Sequence, residues 1–518
     1  MLHTVQIWLS PAVRRKKTPD LNEVITYGTI EKNQKVEKRM KKIWLKIFMV
    51  TGILLLVGCG ESSTEAYQNQ EDEATGKLYY VGSDMLPYSE ETIYTQLFDI
   101  GNKISVEIDV TDEVLQQLQK DYEEYERKGS KSPIYREADL RVTIETKKDK
   151  NTYVIEQVGI RMKGNTSRTD FYEKDQGQYN LIHFKVDFGE RTFATLEKLE
   201  LRWNKNDDST YIREYYAYEM YRDFGVLAPH INLTTMKVAG QYQGVFTICE
   251  PVDKIFIEKY VAKADRGGDL YKCGWSRIGA NLTGYCTVGI EDEEKGKFYN
   301  YDLKTNKSDS RHAAMKNLLA VLNRKGVTKE EIAEVVDMEN FMAFEAVSYF
   351  SGNPDDMRNN YNNYYIYFLK SSGKAIFIPY DVDRVFGLTK DWNPLGNAMT
   401  DIDPFSTKAE SMDRAQENPL YVNTVCRGGF YVEEFTQYLS KVESSKWMTT
   451  EHFNAVYETA FANYSGLTKP DKVYGNAKRH KFTMNNQVSA PLEAADTNVS
   501  FSDYLYEKRK AYREYCKE

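Results

Sequence analysis

Apolar and polar residues alternate along several segments in the first half of the chain. Alternation with a period of two is typical of strands that bury one face. The segments that show it are residues 103–109, 139–146, 152–162 and 181–188. Two further strand patterns, residues 231–239 and 243–249, surround Gly240-Gln241-Tyr242 and predict a hairpin.

Helical spacing of apolar residues predicts four helices, each bounded by residues that favour helix ends. They span residues 111–126, 209–225, 311–324 and 337–350. Beyond residue 310 helices dominate, apart from two short strand patterns between 352 and 387 and a loop at 465–500. This order predicts an α+β fold with a mixed, β-rich N-terminal lobe and a helical C-terminal lobe.

Residues 40–58 have the pattern of an export signal, because charged residues precede a short apolar run. The run is much shorter than the roughly 20 residues of a membrane-spanning helix. Leu56-Val57-Gly58-Cys59 resembles the lipobox of bacterial lipoproteins, so we expect lipid, including palmitate, on Cys59. We also expect residues 1–39 to come from an upstream start codon and residues 59–76 to be a flexible tether. The expected location is the extracytoplasmic face of the cell membrane.

Charge and cysteine usage exclude several classes of protein. The net charge of −8 provides no basic surface for nucleic acid. Lipidation of Cys59 would leave five scattered cysteines, which form neither a disulfide framework nor a zinc motif. The six histidines include no HExxH sequence, so a zinc hydrolase is not supported.

The densest group of candidate metal ligands lies between residues 352 and 387, where polar residues stand at both ends of a predicted strand hairpin. Carboxylate and amide oxygens are the ligands that Mg²⁺ prefers. The interval from Asp355 to Asn360 matches the Asp-x-x-x-x-Asn spacing of the protein-kinase catalytic loop. An Asn-rich turn that satisfies its own backbone would explain this loop alone. The Asp381-x-Asp383 pair beyond the hairpin favours a functional site.

Two cationic segments precede this hairpin. Residues 161–168 place Arg161, Lys163 and Arg168 around Gly164, and such a loop could cover phosphate groups. Lys185 lies in an alternating strand, on the face opposite its large apolar neighbours. Taken alone, residues 161–168 could be an ordinary basic turn. Lys185 could equally be a solvated lysine on an edge strand.

Together these segments resemble the CotH kinase family (spore coat protein H-like), a group of atypical secreted or surface kinases. The matching pieces follow the family order within about residues 103–440: Arg161–Arg168, Phe184–Phe188, Arg213–Val226, Tyr242–Phe246, Glu250–Asp253, Gly268–Lys272 and the 352–387 hairpin. The resemblance implies an atypical protein-kinase-like two-lobed fold. It also implies transfer of the γ-phosphoryl group of ATP to serine hydroxyls of a protein.

The resemblance further implies a role for each candidate residue. Asp355 or the adjacent Asp356 would be the catalytic aspartate. The metal ligands would be Asn360 or Asn363, Asp381 and Asp383. The residues implied to bind the ATP cofactor are Arg161, Lys163, Asn165, Ser167, Lys185 and Glu250.

We therefore predict a surface-anchored, Mg²⁺-dependent serine kinase that acts on an exported or surface protein. The predicted kinase domain spans residues 77–440, with a helical extension at 441–518, and we expect a monomer that binds no nucleic acid. The alternative is a catalytically inactive CotH-like lipoprotein for surface assembly or adhesion. Glycoside hydrolysis is a weaker alternative, because no second carboxylate can be placed at the required separation from sequence.

Overall fold

The centre of the fold is a β-barrel of seven strands, to which an eighth strand is added at the edge. In the computed structural model the neighbours around the barrel are β4, β3, β2, β9, β10, β8 and β7, and β7 pairs again with β4. β1 pairs with β4 in parallel. The bounds are β1 Lys77–Tyr80, β2 Lys103–Asp109, β3 Arg136–Glu145, β4 Lys150–Lys163, β7 His183–Asp187, β8 Lys198–Trp203, β9 Ile231–Val238 and β10 Gln241–Cys249.

The structure describes residues 76–82, 86–127, 129–164, 168–173, 178–206, 208–292, 295–388, 400–406, 417–468, 484, 486 and 499–516. The predicted signal segment, Cys59 and the tether up to residue 75 lie outside the described residues, as do Asn165 and Ser167. Among the described helices, none is long and apolar enough to cross a membrane.

The alternating segments become strands because one face of each can be buried. β2 and β3 alternate between buried and more exposed positions along their length, as predicted for residues 103–109 and 139–146. The hairpin predicted around Gly240 is confirmed as β9 and β10. Closure of β4 on β7 leaves no free edge at this point of the sheet. It also places Arg161 directly opposite Lys185.

A second sheet of five strands has the order β12, β13, β11, β14, β15. Its bounds are β11 Leu270–Cys273, β12 Val288–Gly289, β13 Tyr301–Leu303, β14 Tyr364–Phe368 and β15 Ala375–Pro379. β14 and β15 are the hairpin predicted between residues 352 and 387. A separate two-stranded pair is formed by β5 (Tyr172–Glu173) and β6 (Gln178–Tyr179).

The predicted helices are present, with ends that differ by a few residues. The helices are α1 Glu90–Leu97, α2 Asp112–Arg127, α3 Arg213–Asp223, α4 Lys254–Tyr260, α5 Ala313–Leu322, α6 Lys329–Val335, α7 Met338–Ser351, α8 Pro419–Asn423, α9 Val432–Glu443, α10 Thr450–Tyr464 and α11 Phe501–Tyr515. α7 is buried along almost its whole length. Asp337 caps its first turn, and Gly352 ends it with a left-handed φ of 64°.

The α+β class is confirmed, but the division into a β-rich N-terminal lobe and a helical C-terminal lobe is not. One hydrophobic core extends from Ile93 to Tyr512, and it includes residues of the barrel strands as well as residues of the C-terminal helices. The Tyr216 ring on α3, for example, packs against Trp447 and Phe501. The helices after residue 440 therefore bury their apolar faces against the same core as the barrel.

Buried charge holds the segment after α7 in place. Glu345 on α7 pairs with Arg358, and the Arg358 guanidinium also donates to the carbonyl oxygens of Pro404 and Ser406 at 3.0 and 2.9 Å. Asp356 is only 6% exposed. Its carboxylate accepts hydrogen bonds from the Ser348 hydroxyl at 2.6 Å and from the backbone N–H of Asn359 at 2.7 Å. Burial, together with Glu345, raises the pKa of Asp356 to about 7.

We predict that Asp356→Asn removes part of the pH dependence of stability. The folded chain keeps a proton on Asp356 that the unfolded chain releases above the ordinary aspartate pKa of about 4. This contribution is complete below about pH 4 and is lost as the pH rises through about 7. The free energy of unfolding of the wild type should therefore fall relative to that of Asp356→Asn across this range, as measured by urea titration.

Asp309→Asn is the control, because it removes one acidic charge at an exposed position. Its difference from the wild type should vary little with pH. A constant difference for Asp356→Asn between pH 4 and pH 7 would contradict the assignment.

Candidate functional site

A cavity of about 570 Å³ lies where strands β4, β7 and β8 of the barrel face the second sheet and the loop before β14. Eight of the residues singled out in the sequence line it: Arg161, Lys163, Lys185, Asp355, Asn360, Asn363, Asp381 and Asp383. They come from four separate segments of the chain. The fold thus brings the cationic segments and the candidate metal ligands to one cavity.

Asp355 is held in the cavity by the asparagines that follow it. Its carboxylate accepts hydrogen bonds from the side-chain amides of Asn360, Asn362 and Asn363, the last two at 3.2 and 2.9 Å. Burial raises the pKa of Asp355 above its ordinary value, against the lowering effect of the Asn360 and Asn362 amides. A carboxylate with a raised pKa is suited to accept a proton.

The doubled acid at positions 355 and 356 is divided between two environments. Asp355 lines the cavity, whereas Asp356 points into the core towards Ser348. Asp356 therefore does not reach the cavity. The two adjacent side chains lie on opposite sides of the loop.

Asp381 and Asn363 lie at the open end of the β14–β15 hairpin. Tyr364 pairs with Pro379, and the amide of Tyr380 donates to the carbonyl oxygen of Asn363 at 3.2 Å. Asn363 and Asp381 both have a left-handed φ, 54° and 53°, which costs free energy for residues other than glycine. Such strain is often found at functional sites, and both residues line the cavity here.

The two aspartates after β15 have different charge states. Burial alone would raise the pKa of Asp381, but Lys163, Arg202 and Lys272 together hold it below its ordinary value. Burial and the neighbouring Asp381 raise the pKa of Asp383 to about 8. Asp381 is therefore the ionised member of this pair at neutral pH.

A buried carboxylate that the sequence reading missed organises the cationic side of the cavity. Glu200 on β8 lies 2.7 Å from the Lys163 ammonium and 3.8 Å from that of Lys185. Burial would raise the pKa of Glu200, but the two lysines hold it at about 2. Burial lowers the pKa of Lys185. Strand pairing fixes this arrangement, because Lys185 stands opposite Glu200 on β8 and opposite Arg161 on β4.

Arg202 was also missed. Its guanidinium donates to Glu214 at 2.7 Å and to Asp381 at 3.2 Å, so it orients Asp381. The alternation of charged and apolar residues in Lys198–Trp203 places Glu200 and Arg202 on one face of β8. That pattern was available in the sequence, but it indicates a solvated face more often than a cavity wall.

Lys272 is a further cation of the cavity. It was part of the matched segment Gly268–Lys272, but no role was predicted for it from the sequence. Its ammonium lies 4.4 Å from the centre of the Tyr380 ring. Burial and the nearby Lys131, Lys163 and Lys304 lower its pKa to about 7. On the following turn, the Trp275 indole N–H donates to the carbonyl oxygen of Asn360 at 2.9 Å. β11 and the turn after it thus contribute a cation and a support for the asparagine loop.

Glu250 does not line the cavity. Its buried carboxylate accepts hydrogen bonds from the Tyr94 hydroxyl at 2.9 Å and the His230 amide at 3.2 Å, and it pairs with Lys259 at 3.2 Å. These partners join α1, the start of β9 and α4. The predicted contact of Glu250 with ATP is thus not supported by its position, since the carboxylate is fully engaged in the fold.

The chemistry of the donor atoms fits Mg²⁺. In the described part of the chain, no three His, Cys, Asp or Glu side chains come together as a metal-binding group. Mg²⁺ needs only one or two carboxylates when phosphate and water oxygens complete its shell. Asp381 and Asp383 line the cavity, and the Asn360 amide oxygen is buried there without a hydrogen-bond partner. These are hard oxygen donors beside a cationic wall.

Comparison with known proteins identifies the family of the chain. The model of a protein family described as "CotH kinase protein" matches residues 160–477, which is more than half of the chain. A search of curated proteins finds no match. The matched residues include every side chain of the cavity that the sequence reading singled out. The chain therefore belongs to the CotH kinase family.

Proposed function

We propose that this chain is an Mg²⁺-dependent protein kinase that transfers the γ-phosphoryl group of ATP to a serine of an exported or surface protein. The observation that carries the proposal is the single cavity in which a cationic wall faces Asp355 and Asp381. Phosphoryl transfer depends mainly on positioning and on stabilising the charge of the phosphate oxygens. The cavity offers groups for both tasks.

Lys163, Lys185 and Arg161 are the groups proposed to contact the phosphates. Protein kinases hold the phosphate-binding lysine with a glutamate ion pair. Glu200 would play the part of that glutamate here, because it lies in the cavity wall and forms ion pairs with both Lys163 and Lys185. A bound polyphosphate would also favour the charged form of Lys272, which burial and the neighbouring lysines disfavour.

Asp381, Asp383 and an asparagine of the loop, Asn360 or Asn363, are the proposed holders of Mg²⁺. When bound, the ion would offset the charge of the phosphate oxygens. Arg202 keeps Asp381 oriented towards the cavity.

Asp355 rather than Asp356 is the proposed catalytic aspartate and general base, because only Asp355 lines the cavity. It would orient the serine hydroxyl and accept its proton. The serine oxygen would form the new bond to the γ-phosphorus while the bond from that phosphorus to ADP breaks. Asn360, Asn362 and Asn363 would hold the carboxylate during this step.

A binding protein without transfer activity is the second candidate. The observation in its favour is that both acids already have partners, Asp355 with three amides and Asp381 with Arg202. Such a protein would use the cavity wall for surface assembly or adhesion. Calorimetric titration with ATP, with and without Mg²⁺, separates the two functions, since adhesion requires no Mg²⁺-dependent ATP binding.

We predict that Asp355→Asn and Asp381→Asn each lower phosphoryl transfer by about 10²-fold or more, because each removes a group needed in the transition state. Transfer is measured with γ-labelled ATP as incorporation into the chain itself or into added serine-containing peptides. Asp381→Asn should also weaken Mg²⁺-dependent ATP binding, whereas Asp355→Asn should leave it nearly unchanged.

Asp356→Asn is the matched control, because it changes the adjacent acid outside the cavity. It should retain most of the activity, because an asparagine side chain can still accept from the Asn359 backbone N–H and bond to the Ser348 hydroxyl. Loss of transfer with Asp356→Asn but not with Asp355→Asn would reverse the assignment of the two acids.

We also propose that the protein is held at the outer face of the membrane through lipid on Cys59. The support is the sequence of residues 40–59, with its charged start, short apolar run and Gly58-Cys59. Stable anchoring needs more than one acyl chain, because a single chain binds membranes only marginally.

We predict that Cys59→Ser abolishes incorporation of labelled palmitate and moves the protein out of the lipid-anchored membrane fraction of a bacterial host. Labelling followed by fractionation measures both effects. Cys516→Ser is the control, since Cys516 is an exposed cysteine of the folded domain. Continued lipid labelling of the Cys59→Ser chain would contradict the anchor.

A further inference from the structure

The C-terminal helix α11 lies outside the region matched by the family model, yet it contacts both acid-bearing segments of the site. The Tyr504 hydroxyl donates to the carbonyl oxygen of Phe350 at 2.9 Å, at the end of α7 just before the Asp355 loop. The amide of Val499 donates to the carbonyl oxygen of Gly387 at 3.1 Å, just after the Asp381 segment. The start of α11 and Val499, just before its cap Ser500, thus contact the backbone at the end of α7 and after the Asp381 segment.

Two glycines make this contact possible. Gly352 and Gly387 both have a left-handed φ, 64° and 81°. A Cβ atom on Gly352 would overlap the Tyr504 hydroxyl, and one on Gly387 would overlap the Val499 side chain. The same Tyr504 ring also lies 3.2 Å from the Cβ position of Gly387. Tyr504 therefore fills the space between the two backbones.

The two segments are also bonded to each other at this point. The amide of Phe386 donates to the carbonyl oxygen of Ser351 at 2.7 Å. Buried Arg213 donates to the carbonyl oxygens of Phe386 and Val499 at 2.6 and 3.0 Å. The Phe386 ring packs against the Tyr504 ring with centroids 5.9 Å apart. Tyr504, which acts as a wedge between the two backbones, therefore belongs to a continuous set of contacts that joins the two segments.

We infer that Tyr504 is a positioning residue that sets the separation of the Asp355 loop and the Asp381 segment, so that α11 is a required part of the site. The inference rests on the proposed function in one respect: it assumes that Asp355 and Asp381 act in the same reaction. The geometric part concerns the backbone of the two segments. It can be measured without any nucleotide.

Hydrogen exchange of the full chain tests this role. In Tyr504→Ala, the amides of residues 353–363 and 380–388 should exchange about tenfold faster than in the wild type, since both segments lose their common support. Tyr504→Phe removes only one hydrogen bond and should have a smaller effect, concentrated near residue 352. Strands β2 and β3 should keep their protection in both variants.

Tyr506→Ala is the matched control, because Tyr506 lies on the same helix and is 66% exposed. It should leave both segments unchanged. Uniformly faster exchange across the barrel in Tyr504→Ala would overturn the inference, because Tyr504 would then be an ordinary core residue. Unchanged exchange in the two segments would overturn it as well.

A second variant pair tests the direct contact. Gly352→Ala should speed exchange of residues 353–363, since its methyl group meets the Tyr504 hydroxyl. Adding Tyr504→Phe should reverse part of this effect by removing the colliding oxygen. Additive effects of the two changes would show that they act independently and would contradict a direct contact between Gly352 and Tyr504.

Mg²⁺-dependent ATP binding separates the inference from the proposed function. If the wild type binds Mg²⁺ and ATP, Tyr504→Phe should need more Mg²⁺ for half-maximal ATP binding at a temperature where the variant is fully folded, and an unchanged Mg²⁺ requirement would contradict a positioning role. If the wild type binds no ATP, the proposed function fails, and the exchange pattern still decides whether Tyr504 positions the two segments.

Discussion

The closure of the barrel by β4 and β7 is the constraint on which the rest of the site depends. It places Arg161 opposite Lys185, and β8 then brings Glu200 between Lys163 and Lys185. A group of cations in a partly enclosed cavity is disfavoured unless a carboxylate offsets part of the charge. Glu200 supplies that charge from inside the wall, so the cationic surface still faces the cavity.

The opposite wall depends on local backbone geometry. Asn363 and Asp381, at the open end of the hairpin, both have a left-handed φ and both line the cavity. The helix α7 ends at Gly352, and the loop that follows turns Asp355 outward and Asp356 inward. The inward acid, with Glu345 and Arg358, anchors the loop to α7. One buried acid therefore supports the position of the other.

The sequence predicted the elements whose information is local. The β14–β15 hairpin, the helix α7 and the strand β2 follow from periodicity and capping residues within short windows. The second sheet was only partly predicted, because β11 pairs with β14, a strand far away in the chain. Periodicity separates the two faces of β8 but cannot say which face is enclosed, so Glu200 and Arg202 were missed. Glu250 was expected in the site from the family resemblance, and nothing nearby in sequence identifies Tyr94 as its partner.

The contacts of the two acids indicate how a ligand would be accommodated. Asp381 shares Arg202 with Glu214, so Arg202 would remain paired if a cation displaced it from Asp381. Asp355 accepts from three amides, and the loss of one would leave two in place. A ligand would therefore exchange one partner of each acid rather than order a free side chain. Both acids are already held by partners, so binding of a charged ligand by the proposed site would require little further ordering of either side chain.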